Sequence, residues 1–276
     1  MNVSGLDDMK KKRKLVQLLC AVLYNCHITG FADGTIYQGN LKSACVPGLN
    51  CYSCPGASFS CPLGSLQSAL VSSKYRFPYY ILGVLLLFGI FLGRIICGFL
   101  CPFGLIQELL YKIPSKKLKK NIWTRRLSCL KYVILVIFVI VIPLVLQMPG
   151  FCKFICPAGT LEGGIPLLLK NESLRQMAGW LFRWKTLLLF LILLSTVFLF
   201  RSFCRFLCPL GAFYGLFHRF SLFGMRVDKE KCTDCGACIR HCKLDVKKVG
   251  DTECIQCGEC IESCPTCALS FKSIKK

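Results

Sequence analysis

Four stretches of the chain are uncharged and mostly apolar: Leu15 to Ala32, Phe77 to Gly93, Tyr132 to Cys152 and Thr186 to Phe200. Each approaches the ~20 residues that carry a helix through the hydrocarbon core of a bilayer. The pattern predicts four spanning helices, over about residues 15–32, 77–96, 132–150 and 186–203. The second and fourth runs are short, and each stops at an arginine, Arg94 or Arg201, just ahead of a cysteine pair.

The polar intervals are basic. Lys10 to Lys14 precede the first run, and the connector after the second carries Lys112, Lys116, Lys117, Lys119, Lys120, Arg125, Arg126 and Lys131 with no acid among them. By the positive-inside rule these ends are cytoplasmic, which places both termini inside a prokaryotic cytoplasmic membrane. Arg183 and Lys185, at the outer end of the fourth run, pull mildly the other way.

Composition agrees with the pattern. With 54 % hydrophobic residues and a mean hydropathy of +0.54, the 276-residue chain is too apolar for an ordinary soluble domain. The net charge of +21 does not imply nucleic acid, because the lysines and arginines sit at the ends of apolar runs rather than among aromatics on one soluble face.

Twenty-two cysteines change the picture from a membrane protein to a redox protein. Near the C-terminus stand Cys232, Cys235, Cys238 and Cys242, then Cys254, Cys257, Cys260 and Cys264 followed by Pro265: two copies of C-x2-C-x2-C-x3-C. This is the bacterial ferredoxin run, in which three close cysteines bind one [4Fe-4S] cluster and the fourth crosses to the other. On that rule Cys232, Cys235, Cys238 and Cys264 hold the first cluster, and Cys254, Cys257, Cys260 and Cys242 the second. A zinc ribbon needs only four ligands and has no use for the triple spacing twice over. Disulfides are disfavoured in a segment that follows the last span into a reducing compartment.

The membrane part contains an internal repeat. RIICGFLCPFG, Arg94 to Gly104, and RSFCRFLCPLG, Arg201 to Gly211, are one motif used twice. CPLGSLQS, from Cys61, and CPAGTLEG, from Cys156, form a second matched pair, the latter preceded four residues earlier by Cys152. Cysteines at i and i+4 share a helical face and reach one metal centre, a spacing poorly suited to a direct disulfide. The proline fits the first turn of a new helix, which makes the preceding cysteine its cap, and the glycine permits a tight turn or close backbone approach.

Cys97, Cys101, Cys204 and Cys208 thus make a third quartet, at the inner membrane edge. On the outer side Cys152 and Cys156 need two more ligands from Cys51, Cys54 and Cys61, and spacing leaves open which two. Arg94 and Arg201 are placed to offset an anionic cluster and tune its potential, or else to snorkel to lipid headgroups.

These motifs resemble the NapH and NosR-type membrane ferredoxins, over nearly the whole chain. The expected fold class is an α-helical membrane protein of four transmembrane helices, built from a duplicated two-helix unit, with a C-terminal α+β bacterial 2[4Fe-4S] ferredoxin domain. Its expected divisions are residues 1–14, a basic cytoplasmic N-terminus; 15–220, the membrane domain; and 221–276, the ferredoxin domain. The resemblance implies electron transfer between a cytoplasmic donor, such as a ferredoxin or flavoprotein, and the quinone pool or an extracytoplasmic reductase, with no substrate chemistry of its own.

No dinucleotide turn, P-loop or nucleophile with its base competes with this reading. Two alternatives remain: a thiol-disulfide relay through Cys51-Tyr-Ser-Cys54 that reduces exported proteins, and a redox-sensing or assembly protein. The histidines are too few for a bis-histidine haem, and His218, among basic residues, is expected at an interface or in solvent.

Overall fold

A computed structural model describes residues 3–72, 78–118, 120–218 and 220–273. Phe77 at the head of the second apolar run, Lys119 and the last three residues of the ferredoxin domain lie outside these segments.

Helix α1 (Val3–Tyr24) takes in Lys10 to Lys14 as well as the start of the first apolar run. The basic residues are therefore part of the helix rather than a tail ahead of it. The first run is not one continuous span, because the chain leaves the helix after Tyr24. There the Asn25 side chain donates to the carbonyl of Ala21 at 2.9 Å and to Asn50 Oδ1 at 3.0 Å. The amides of His27 and Ser58 then bond across the turn to Gly56 and Tyr24.

Helix α2 (Pro62–Ser72) follows Cys61. Helix α3 (Tyr79–Phe91) has 13 residues, so at about 1.5 Å per residue it reaches only some 20 Å, short of the ~30 Å hydrocarbon core. Gly93, at φ +50°, turns the chain into the short helix α4 (Ile95–Phe99), and α5 (Pro102–Tyr111) starts at the next proline.

Helix α6 (Trp123–Leu146) is 24 residues long with a mean hydropathy of 2.9. It contains a π segment, Leu135–Val141, just before Pro143, where the missing N–H breaks the ordinary i to i−4 ladder. After α7 (Gly150–Phe154) and the helix of residues 157–170, α8, comes α9 (Trp180–Phe198), whose mean hydropathy is 1.8. Among the described residues, α6 and α9 are the two helices long and apolar enough to cross a membrane, where the sequence pattern predicts four spans. Only 22 % and 17 % of their apolar windows are buried, unlike core helices of a soluble protein.

Helices α10 (Ser202–Phe206) and α11 (Pro209–Phe217) repeat α4 and α5. The C-terminal module is a two-stranded antiparallel sheet, β1 (Phe223–Val227) with β2 (Leu269–Ser273), Phe223 opposite Ser273 and Val227 opposite Leu269. Between the strands lie α12 (Ala237–His241) and one 3-10 turn, Glu259–Ile261. The overall architecture is mostly helical with a ferredoxin-like module.

Buried ion pairs tie that module to the helices. Lys131 Nζ meets Glu253 at 2.5 Å, Arg94 Nη1 meets the same carboxylate at 3.6 Å, and Arg13 Nη2 meets Glu259 at 3.4 Å.

Candidate metal centres

The four inner cysteines come together. Cys97 lies in α4 and Cys204 in α10, while Cys101 and Cys208 cap α5 and α11 with extended backbone at ψ 114° and 107°. The Gly211 amide donates to Cys208 Sγ at 3.3 Å, and the backbones of Leu49 and Gly104 hydrogen-bond Cys101. Burial, then the neighbouring Cys204, Cys97 and Cys101, push the Cys208 thiol well above its ordinary range. Burial and Cys204 push Cys101 up to about 11. Four crowded thiols, Cys101 and Cys208 buried and Cys97 and Cys204 half-buried, are poor company as bare thiolates and good company for a cationic iron centre.

The two arginines cross between the repeats. Arg94 donates to the Gly211 carbonyl from Nε at 3.1 Å and Nη2 at 2.8 Å, and Arg201 Nη1 donates to the carbonyl of Cys97. Each is also ion-paired, Arg94 with Glu253 and Arg201 with Glu108 at 2.7 Å. Neither snorkels, since Arg94 is 2 % and Arg201 0 % exposed.

On the other side of the site, Cys51, Cys61, Cys152 and Cys156 line one cavity of about 360 Å³. Cys54 does not line it, which separates the three candidates that spacing left open. Gly159 N donates to Cys156 Sγ at 3.4 Å, and the Asn50, Leu63 and Gly64 backbones hydrogen-bond Cys61. Burial and then Cys156 raise the Cys51 thiol well above its usual range. Burial alone pushes the Glu162 carboxyl up to about 7, although its Oε2 accepts the Cys51 amide at 2.9 Å.

In the ferredoxin module, Cys232, Cys235, Cys238 and Cys264 line one cavity, and Cys242, Cys254, Cys257 and Cys260 line another. These are the two sets expected from the crossed spacing rule. Cys235 is exposed, whereas burial and Glu259 push Cys257 up to about 12. Among the described residues no three His, Cys, Asp or Glu side chains converge on a single metal ion. Thiols grouped in fours around a cavity, with backbone N–H groups donating to several of them, fit [4Fe-4S] clusters.

The four sets follow one another in space. Cys238 and Cys260, from the two ferredoxin sets, interact electrostatically. Cys97 of the inner set and Cys242 and Cys257 of the second ferredoxin set pack on one apolar cluster of Phe200, Leu244 and Ile255. Consecutive residues Leu49 and Asn50 touch Cys101 of the inner set and Cys61 of the outer.

Several site residues escaped the sequence reading. Gln67 and Gln107 each donate to a thiol, Cys152 at 3.3 Å and Cys204 at 3.0 Å, and the signal was a shared six-residue offset from Cys61 and Cys101. Glu108, Glu253 and Tyr214, whose hydroxyl donates to the Pro47 carbonyl at 3.0 Å, carried no signal. His218 is a correction. It is 5 % exposed, held between Gln256 and the backbone of Gly250 rather than in solvent.

A sequence-family profile for a 4Fe-4S binding domain matches residues 76–121, 132–171 and 179–229. Each matched segment contains one C-x3-C-P, at Cys97, Cys152 and Cys204. The chain is a ferredoxin-type 4Fe-4S protein. This ferredoxin-type chain is 32 % identical to an uncharacterized protein of Methanocaldococcus jannaschii over 67 % of its own length and 66 % of the relative's. It is 28 % identical to the methylamine utilization ferredoxin-type protein MauN of Methylorubrum extorquens, over 83 % of this chain and 73 % of that one. Against the regulatory protein NosR of Stutzerimonas stutzeri it is 30 % identical, over 55 % of this chain and 20 % of NosR. The ferredoxin-type chain thus spans just under two thirds of the Methanocaldococcus relative and a fifth of NosR. No solved structure matches it.

Proposed function

We propose that this protein is an iron-sulfur electron-transfer subunit of the cytoplasmic membrane. It passes electrons between a cytoplasmic donor, a ferredoxin or flavoprotein, and a quinone or extracytoplasmic redox partner. The observation that carries this reading is the succession of four cysteine quartets, each linked to the next through shared neighbours, from the set with the exposed Cys235 to the cavity of Cys51, Cys61, Cys152 and Cys156.

When bound, a [4Fe-4S] cluster supplies a one-electron couple whose potential depends on burial and on hydrogen bonds to its sulfurs. The chain's residues do the rest. The set of cysteines 232, 235, 238 and 264 reaches solvent at Cys235, where a donor docks, and the set of 242, 254, 257 and 260 lies nearer the helices, where Cys242 and Cys257 pack with Phe200. Arg94 and Arg201 hold the backbone of the opposite repeat's ligand loop in place, and each is paired with a carboxylate, Glu253 or Glu108, that it shares with a second cation, Lys131 or Arg13. The loop from Pro47 to Cys51 separates the inner and outer sets by a single stretch of backbone.

Four membrane crossings, with both termini cytoplasmic, remain our topology. Exposed aromatics support it, at 76 % for Tyr79, 79 % for Trp180 and 68 % for Trp123, near the ends of apolar helices as in membrane-interface belts. The dithiol relay is less well supported, because Cys51 faces the cavity and Cys54 does not.

Purified protein in sealed vesicles, supplied outside with reduced ferredoxin, is expected to reduce ferricyanide trapped inside. Cys97→Ser and Cys204→Ser are expected to abolish that transfer. Vesicles that pass no electrons with the unaltered protein would contradict the function.

A further inference from the structure

We propose that Gln67 and Gln107 are a matched pair of positioning residues that set the redox potentials of the outer and inner centres respectively. The proposal rests on the reading above, that these two quartets hold clusters. Both side chains are wholly buried. Each carboxamide has the same three partners. Gln67 Nε2 donates to Cys152 Sγ at 3.3 Å and to the Leu63 carbonyl at 3.2 Å, while its Oε1 accepts the Phe151 amide at 2.9 Å. Gln107 Nε2 donates to Cys204 Sγ at 3.0 Å and to the Phe103 carbonyl at 3.4 Å, while its Oε1 accepts the Phe203 amide at 3.2 Å.

Chemistry fixes the orientation. Turning either carboxamide over would set its oxygen against a thiolate and a carbonyl, both acceptors, and its NH2 against a backbone N–H. A glutamate would fail for the same reason at the sulfur. With the carboxamide oxygen and nitrogen both engaged and the side chain wholly buried, the N–H donor is aimed at one sulfur and held there.

The duplication is an independent observation. Gln67 and Gln107 lie six residues after Cys61 and Cys101, and each reaches from the helix begun by its own Cys-Pro to the cysteine pair of the other half. The corresponding positions after Cys156 and Cys208 are Glu162 and Tyr214, which bond instead to the backbone of the 47–51 loop. Two centres therefore share one construction: each takes a glutamine from the first half and a C-x3-C-P from the second. A donated N–H stabilises the more negative, reduced state of a thiolate-bound cluster and so raises its potential.

The test is a potentiometric titration followed by electron paramagnetic resonance on the full chain in detergent, with iron counted for each sample. Gln107→Met is expected to lower the midpoint of one signal and leave the others in place; Gln67→Met is expected to lower a different one. Gln107→Glu and Gln67→Glu keep an acceptor for the Phe203 or Phe151 amide but replace the donor with a carboxylate charge beside the sulfur, so they are expected to move the same midpoint further down, which keeps a readout where the methionine variant loses iron from its quartet. Midpoints unmoved at full iron content, or both signals shifted alike by either substitution, would overturn the glutamine assignment alone. Iron sufficient only for the ferredoxin module in the unaltered protein would overturn the underlying reading and this proposal with it.

Discussion

The guanidinium of Arg94 holds the carbonyl of Gly211, 117 residues away, through two hydrogen bonds at 3.1 and 2.8 Å. The reciprocal contact places Arg201 against Gly104, so each repeat's arginine packs on the other repeat's Cys-Pro-x-Gly turn. The glycine is there to admit a guanidinium. A Cβ at Gly104 would lie 3.1 Å from Arg201 Nη1, and one at Gly211 would lie 3.3 Å from Arg94 Nη2.

Gly104→Ala and Gly211→Ala are each expected to cost about 1 to 3 kcal/mol, as overpacked sites do. Both should deplete iron from the inner quartet while sparing the ferredoxin signals, measured by iron content and electron paramagnetic resonance. Full occupancy with unchanged melting would argue against the crossed clamp.

Glu108 is ion-paired with two buried arginines at once, Arg13 at 2.8 Å and Arg201 at 2.7 Å. Glu108→Gln takes from Arg201 its paired carboxylate and leaves Arg13 with Glu259 alone, in a site where both guanidinium groups are buried. The expected loss is about 3 to 5 kcal/mol, read as a lowered thermal midpoint in detergent. A midpoint within a degree of the unaltered protein would show that the pairing is not needed.

The outer ligand set makes a sharp distinction between two cysteines three residues apart. Cys51→Ser is expected to remove the iron of one cluster, because Cys51 lines the cavity with Cys61, Cys152 and Cys156. Cys54→Ser should keep all of it. The opposite result would return Cys54 to the ligand set.

How much of this was legible beforehand follows from what kind of signal each part leaves. The ferredoxin quartets were legible because three cysteines spaced for one cluster leave a local signature, and the sets that line each cavity are those the crossed spacing names. The inner quartet was legible from the repeat of RIICGFLCP in RSFCRFLCP. The choice between Cys51 and Cys54 was not, since the loop that carries them has no regular period and its course depends on the contacts of Cys51 with Glu162 and of Leu49 with Cys101, both far along the chain. Span lengths were misjudged where side chains end helices from within apolar runs, as Asn25 does after Tyr24. His218 was misplaced because its basic neighbours said nothing of Gln256, 38 residues on, which donates to Nδ1 at 2.6 Å.

His218 gives the account a pH dependence. Burial, then the charge of Arg94, lower its pKa from 6.5 to about 4 in the folded chain. The unfolded chain therefore binds the proton first as pH falls. The histidine's contribution is fully present above about pH 6.5, is lost between there and about pH 4, and amounts to about 3 kcal/mol at most. Melting of the unaltered protein should fall more steeply between pH 6.5 and 4 than that of His218→Gln. Parallel curves would mean the ring is protonated without penalty.

The central claim is that the membrane cysteines bind clusters as the ferredoxin cysteines do. Iron and acid-labile sulfide counted per chain in anaerobically purified protein test it most directly. Four [4Fe-4S] centres predict about sixteen of each, whereas about eight, the content of a two-cluster ferredoxin alone, would contradict it.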